Sequence, residues 1–287
     1  MIDLSQRPAS EPLLETIAEV EAFEKTPLIE RFPYTDSYNL IKDSADRFGD
    51  KAALEFLLQG LPDEPAQTVS FAELGAQFTR TANLLNELGV TTDDAVSIIL
   101  PILPQTHFAI WGAQAAGISN PINPLLEAEH IAEIVTAANA KVVICLAQSE
   151  HSDINEKVRA ALSQCASVTT LLEVNIPGLC NPGAAELSKG NFDILDFDAS
   201  IALRDSTSLA SGRKFSGEHK AAYFHTGGTT GRPKLAQLTH GNMAFLGQLM
   251  QVYTAHMERH TVLCGLPLFH IYGCIIQGVA AFAVGYR

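Results

Sequence analysis

The chain has 287 residues, 47% of them apolar and 18% charged, a globular composition that excludes a disordered or low-complexity protein. Its formal net charge is −13, from 19 Lys+Arg against 32 Asp+Glu, so no basic face is available for a nucleic acid. The longest mostly apolar tract, 271–284, is too short to cross a bilayer and contains Gln277. Asp3, Glu11, Glu15 and Glu19 stand where a secretory leader would be basic and then apolar. The five cysteines, Cys145, Cys165, Cys180, Cys264 and Cys274, form an odd set without a C-x-x-C pair. That pattern reads as reduced thiols, mostly buried, in a soluble cytoplasmic protein. The length allows two core-bearing units at roughly 100–200 residues each.

In chain order, residues 1–35 read as an extended arm with one short helix. Tyr38, Leu40, Ile41, Ala45 and Phe48 give a helical stripe that Gly49 ends. Residues 52–57 read as a strand. Ser70 and Glu73 have capping-box spacing, and the helix they open carries Leu74, Phe78, Ala82 and Leu85 before Gly89. Residues 95–100 are apolar except Ser97, as in a strand buried on both faces. Helices are expected at 105–116, 127–139 and 152–164, and strands at 141–146 and 168–174. On the first of these helices, Gln105, Trp111 and Gln114 read as surface and core. Residues 176–216 have little periodicity and either leave the fold as a surface excursion or hide strands. Strands follow at 221–225 and 235–238, then a helix over 241–254 capped by Thr239, a strand over 262–267 and a helix over 271–284. Strands alternating with helices predict an α/β fold with a parallel sheet and flanking helices.

Thr226-Gly227-Gly228-Thr229-Thr230-Gly231-Arg232-Pro233-Lys234 is the most informative stretch. Glycines let a backbone approach a ligand closely, and successive N–H groups form an anion-binding nest. Threonine hydroxyls can hold phosphate oxygens or a hard cation, and lysine adds a point charge. This chemistry suits a polyphosphate. It is not the Walker pattern, because Arg232 and Pro233 separate the last glycine from Lys234 and Leu235 follows it. A bare hairpin turn would need neither three threonines nor a lysine. His256 and His260 share helical spacing, but Met257 stands where a zincin requires Glu, which argues against a metal site there.

The loop closely resembles the phosphate-binding signature of the adenylate-forming enzymes, approximately [ST]-[SG]-G-[ST]-[ST]-G-x-P-K. Residues 239–242 (THGN), 267–270 (PLFH), 69–74 (VSFAEL) and 117–124 resemble further family segments, so the likeness runs from about Tyr38 to Arg287. It implies ATP-dependent activation of a carboxylic acid, a fatty acid by sequence style, to an acyl-adenylate that coenzyme A then captures. It assigns Thr226, Gly227, Gly228, Thr229, Thr230, Gly231 and Lys234 to the nucleotide. Thr226 would also bind Mg2+, and Lys234 and His270 would be the catalytic pair. Arg232 sits at the variable position. For His225 two roles stay open, a second contact to the ligand or packing, and His240 reads as structural. A fatty-acid substrate would leave peripheral membrane contact open.

The resemblance also implies an organisation. Residues 1–35 would be an arm and 36–68 the start of a second α/β subdomain. Residues 69–240 would form the first α/β subdomain with the phosphate loop, and 241–287 would return to the second. The family's aromatic-Gly-x-Thr-Glu and Thr-Gly-Asp segments and its C-terminal catalytic lysine do not occur in residues 1–287. An incomplete N-terminal portion, with the C-terminal domain as its missing partner and little ligase turnover by itself, is therefore expected. The alternative is a non-catalytic nucleotide-binding or interaction protein.

Overall fold

The computed structural model describes residues 16–181, 192–226, 233–254 and 261–287. The expected single short helix of the arm is two, α1 (Ile17–Glu24) and α2 (Leu28–Arg31), and α1 buries no residue. Helix α3 (Ser37–Phe48) is capped by the Asp36 carboxylate, which accepts the Asn39 amide, and ends at Gly49. Strands β1 (Ala52–Phe56) and β2 (Gln67–Ser70) form a separate antiparallel pair. Helix α4 (Phe71–Glu87) starts where Ser70 Oγ accepts the Glu73 amide at 3.1 Å. Only this half of the capping box forms, because the Glu73 carboxylate accepts from Gln77 one turn on.

The main sheet has seven strands. Its elements are β3 (Ala95–Ile99), α5 (Pro104–Ala116), β4 (Ile118–Pro121), α6 (Ala128–Ala137), β5 (Ala140–Leu146), α7 (Ile154–Leu162), β6 (Thr170–Val174), β7 (Asp193–Asp196), α8 (Phe197–Ala202), β8 (Lys220–Thr226) and β9 (Lys234–Thr239). The strand order is β7-β6-β5-β3-β4-β8-β9, parallel throughout except for the β8–β9 hairpin. The predicted parallel α/β architecture is thus present. Strand β3 is buried along its whole length, and each Val or Ile withdrawn from water there contributes about 1.5–3 kcal/mol.

Helix α5 is buried at every position. It packs so closely on α4 that a Cβ on Gly112 would lie 2.5 Å from Thr81 Cβ. Gln105 and Gln114, expected to share the helix between surface and core, are therefore both interior.

Helix α9 (His240–Thr254) is capped reciprocally: Thr239 Oγ1 accepts the Asn242 amide and Asn242 Oδ1 accepts the Thr239 amide. The predicted last helix runs as α10 (Ile271–Cys274), a π-helical turn (Ile275–Ala280) and α11 (Ala281–Ala283). Gly278 lets that turn press on Trp111, whose Cζ2 would be 2.8 Å from an added Cβ. The strand expected over 262–267 does not form. The Gln277 side chain takes two of its polar groups instead, accepting the Leu266 amide and donating to Leu263 O, both at 2.9 Å, and the Val262 amide donates to Arg287 O at 2.8 Å.

Candidate functional site

Parallel strands β4 and β8 lie side by side, so their carboxyl ends open at the same edge of the sheet. Ligands of open α/β sheets bind at that edge. Thr226 is the last residue of β8 and pairs directly with Lys234, the first of β9. The Thr226 hydroxyl donates to Lys234 O at 3.4 Å. The hairpin therefore closes at the two ends of the signature, with residues 227–233 between them. The expected phosphate contacts of Gly227, Gly228, Thr229, Thr230 and Gly231 lie outside the described residues, as do Arg232 and the His256–His260 pair. Lys234 is exposed and makes no ion pair among the described residues. That leaves its charge available to an anion.

His225 precedes Thr226 and is half-buried. Its Nε2 accepts the Asn123 amide at 3.1 Å, so the neutral ring carries its proton on Nδ1. Its face stacks on Phe269, with centroids 6.1 Å apart and planes 21° apart. Burial pushes its pKa down, and the neighbouring His270 pushes it further the same way. His270 is exposed and caps α10, its Nδ1 accepting the Tyr272 amide at 3.2 Å. Its Nδ1 is therefore committed as an acceptor to its own helix start. The structure thus brings Thr226, Lys234, His225 and His270 to one edge. Asn123, which follows β4, is a member that sequence reasoning missed. Its signals were its place in the family-like segment 117–124 and the Pro-Ile-Asn-Pro run at the end of β4.

His240 is fully buried at the start of α9, with Nδ1 3.3 Å from Ser37 Oγ and Nε2 without a partner among the described residues. Burial, with Arg213 and His219 nearby, pushes its pKa down to about 3, so it is a neutral packing group rather than a proton carrier.

A phosphate fits the hairpin's exposed lysine and terminal threonine. Among the described residues a Mg2+ ion finds one hydroxyl here, Thr226 Oγ1, and no group of three His, Cys, Asp or Glu side chains. Phosphate oxygens and water are the other hard ligands a bound nucleotide would bring.

The family model for AMP-binding enzymes matches residues 41–287. The chain belongs to the AMP-binding enzyme family. Marinolic acid–CoA ligase of Pseudoalteromonas sp. (strain SANK 73390) is 31% identical over 277 residues, covering 95% of this chain and 40% of the relative. Crotonobetaine/carnitine–CoA ligase of Salmonella paratyphi A (strain ATCC 9150 / SARB42) is 27% identical over 245 residues, covering 85% and 44%. Among solved structures, the anthranilate CoA ligase AuaEII in complex with anthranoyl-AMP matches with a TM-score of 0.70 at 17% identity, over 92% of this chain and 45% of that one. That likeness establishes the fold. The chain spans less than half the length of these curated relatives.

Proposed function

We propose that the chain carries the nucleotide-binding part of an ATP-dependent, AMP-forming CoA ligase that activates a carboxylic acid. The observation that carries the reading is the β8–β9 hairpin, which closes the Thr226–Lys234 signature beside His225 and His270. The acid's carboxylate would attack the α-phosphorus of ATP, pyrophosphate would leave, and the thiol of coenzyme A would then displace AMP. Phosphoryl displacement asks the protein for in-line positioning and neutralised charge more than for covalent help. Lys234 would neutralise the leaving pyrophosphate. The glycines and threonines 227–231 would cradle the phosphates, and Thr226 would hold Mg2+. His270, exposed at the start of α10, would face the carboxylate side.

The acid we propose is a fatty acid, and the compartment the cytoplasm, which suits the five free cysteines. No helix among the described residues is long and apolar enough to cross a membrane. We also take 36–68 and 241–287 as parts of one α/β subdomain; α3 packs against α9 and α11, and still more extensively against α4 of the first subdomain.

Acid-dependent ATP–pyrophosphate exchange tests the reading, with medium- and long-chain fatty acids, an aryl acid such as anthranilate, and no acid as the arms. Exchange that needs a fatty acid is the expected result. Exchange only with the aryl acid would replace the substrate class, and none with any acid, in a protein that also carries the Thr-Glu, Thr-Gly-Asp and C-terminal lysine segments, would overturn ligase chemistry. Lys234→Ala should slow exchange by about 100-fold, the usual scale for losing one charge-stabilising group. Binding of the acid should change little.

A further inference from the structure

We infer that His225 is a positioning residue: it ties the turn at Asn123 and the Phe269–His270 segment to the strand that feeds the phosphate loop. The link to carboxylate activation rests on the proposed function; the link between the three segments does not.

The geometry is that of a clamp. The edge of the imidazole is held by the Asn123 amide at 3.1 Å and its face by the Phe269 ring at 6.1 Å. An in-plane hydrogen bond and a stacking contact act along different directions, so together they fix the ring's orientation. Its backbone is held as well, His225 pairing with Leu235 of β9. The Asn123 turn is rigid too, its Oδ1 accepting the Leu125 amide at 3.0 Å.

Residues 261–270 have no strand beside them; Gln277 takes the Leu266 amide and Leu263 O, and Arg287 O takes the Val262 amide. Among the described residues, the His225–Phe269 stack is the ring contact that joins this segment to the sheet. One peptide bond beyond Phe269 stands His270, whose ring is locked to its own helix start by the Tyr272 amide. Leu268 is buried and anchors the segment as well, and the His225 ring adds the link that ties the place of His270 to the strand carrying Thr226. Only histidine offers both a flat face and an acceptor in the ring plane at this length. Phenylalanine keeps the face alone, and glutamine keeps an acceptor alone.

The test uses His225→Phe and His225→Gln in the 287-residue chain, with circular dichroism to confirm that each folds. Amide exchange at Asn123 and the NMR signal of the His270 ring are then read separately. His225→Phe should speed Asn123 exchange by about tenfold, as loss of a protecting hydrogen bond does, and leave the His270 signal in place. His225→Gln should do the reverse, shifting the His270 signal with Asn123 still protected. A His270 signal unmoved in folded His225→Gln overturns the proposal. In acid-dependent pyrophosphate exchange, His225→Gln should raise KM for the acid by about tenfold while KM for ATP stays within about twofold. Equal changes in both overturn the positioning role. Absence of exchange in the unsubstituted 287-residue chain matches the low turnover expected of it without the later family segments, and the NMR arm still decides the clamp.

Discussion

Residues 95–99 and 262–267 are both apolar runs of strand length, and they meet opposite fates. The first is β3, hydrogen-bonded to β4 and β5 and buried throughout. The second finds no neighbouring strand, and Leu263 is 88% exposed. The difference shows that composition proposes a strand but a partner makes one, because an extended backbone must place its N–H and C=O groups somewhere. Here they are divided between the Gln277 side chain, Arg287 O and a turn within the segment itself.

The comparison can be broken by substituting matched residues. Ile98→Ala, at the centre of β3, should cost about 2–5 kcal/mol through lost burial and a cavity. Leu263→Ala should stay within about 0.5 kcal/mol, as surface changes do. Chemical denaturation of both variants checks this, and equal losses would mean that the second run is buried in solution. A smaller pair tests space rather than burial. Gly112→Ala drives a methyl into Thr81 and should cost about 1–3 kcal/mol, whereas Gly265, with open space around it among the described residues, should accept Ala almost freely.

Acid sharpens the contrast further, since the buried histidines belong to the packed half. Burial pushes His107 down to about 4 and His240 down to about 3. Below about pH 6.5 the unfolded chain binds protons that the folded chain refuses, so stability is full above that pH and falls on acidification. Each histidine contributes a slope of about 1.4 kcal/mol per pH unit, down to its folded value. His107→Leu should make the decline between pH 6 and pH 4 shallower by that amount, measured as the urea midpoint against pH. A modest loss, between those at the buried and the open positions, is expected from Gln277→Ala. Losing two bonds to residues 263–266 should cost about 0.5–1.5 kcal/mol and raise amide exchange at Leu266.

Much of the fold is legible in the sequence where local chemistry and packing agree. Ser70 starts α4, Gly49 ends α3, and the run at 95–99 is a doubly buried strand because its neighbours exist. Strand β4 escapes notice because Ser119 and Asn120, both fully buried, break its apolar pattern. Their partners, Gln114 and Ser97, come from elsewhere in the chain. Strand β7 is hidden by its two aspartates and an exposed edge position. The site divides the same way. The signature from Thr226 to Lys234 is continuous and readable, whereas the Asn123–His225–Phe269 contact joins three distant segments and exists only once the sheet has formed.

The central claim is that the Thr226–Lys234 hairpin holds nucleotide phosphates. Calorimetric titration of Mg-ATP into the unsubstituted chain and into Lys234→Ala tests it most directly. The account predicts binding that weakens by about tenfold or more without Lys234, as expected for one desolvated charge on a phosphate, with circular dichroism unchanged. Equal affinity in the two folded proteins would contradict it.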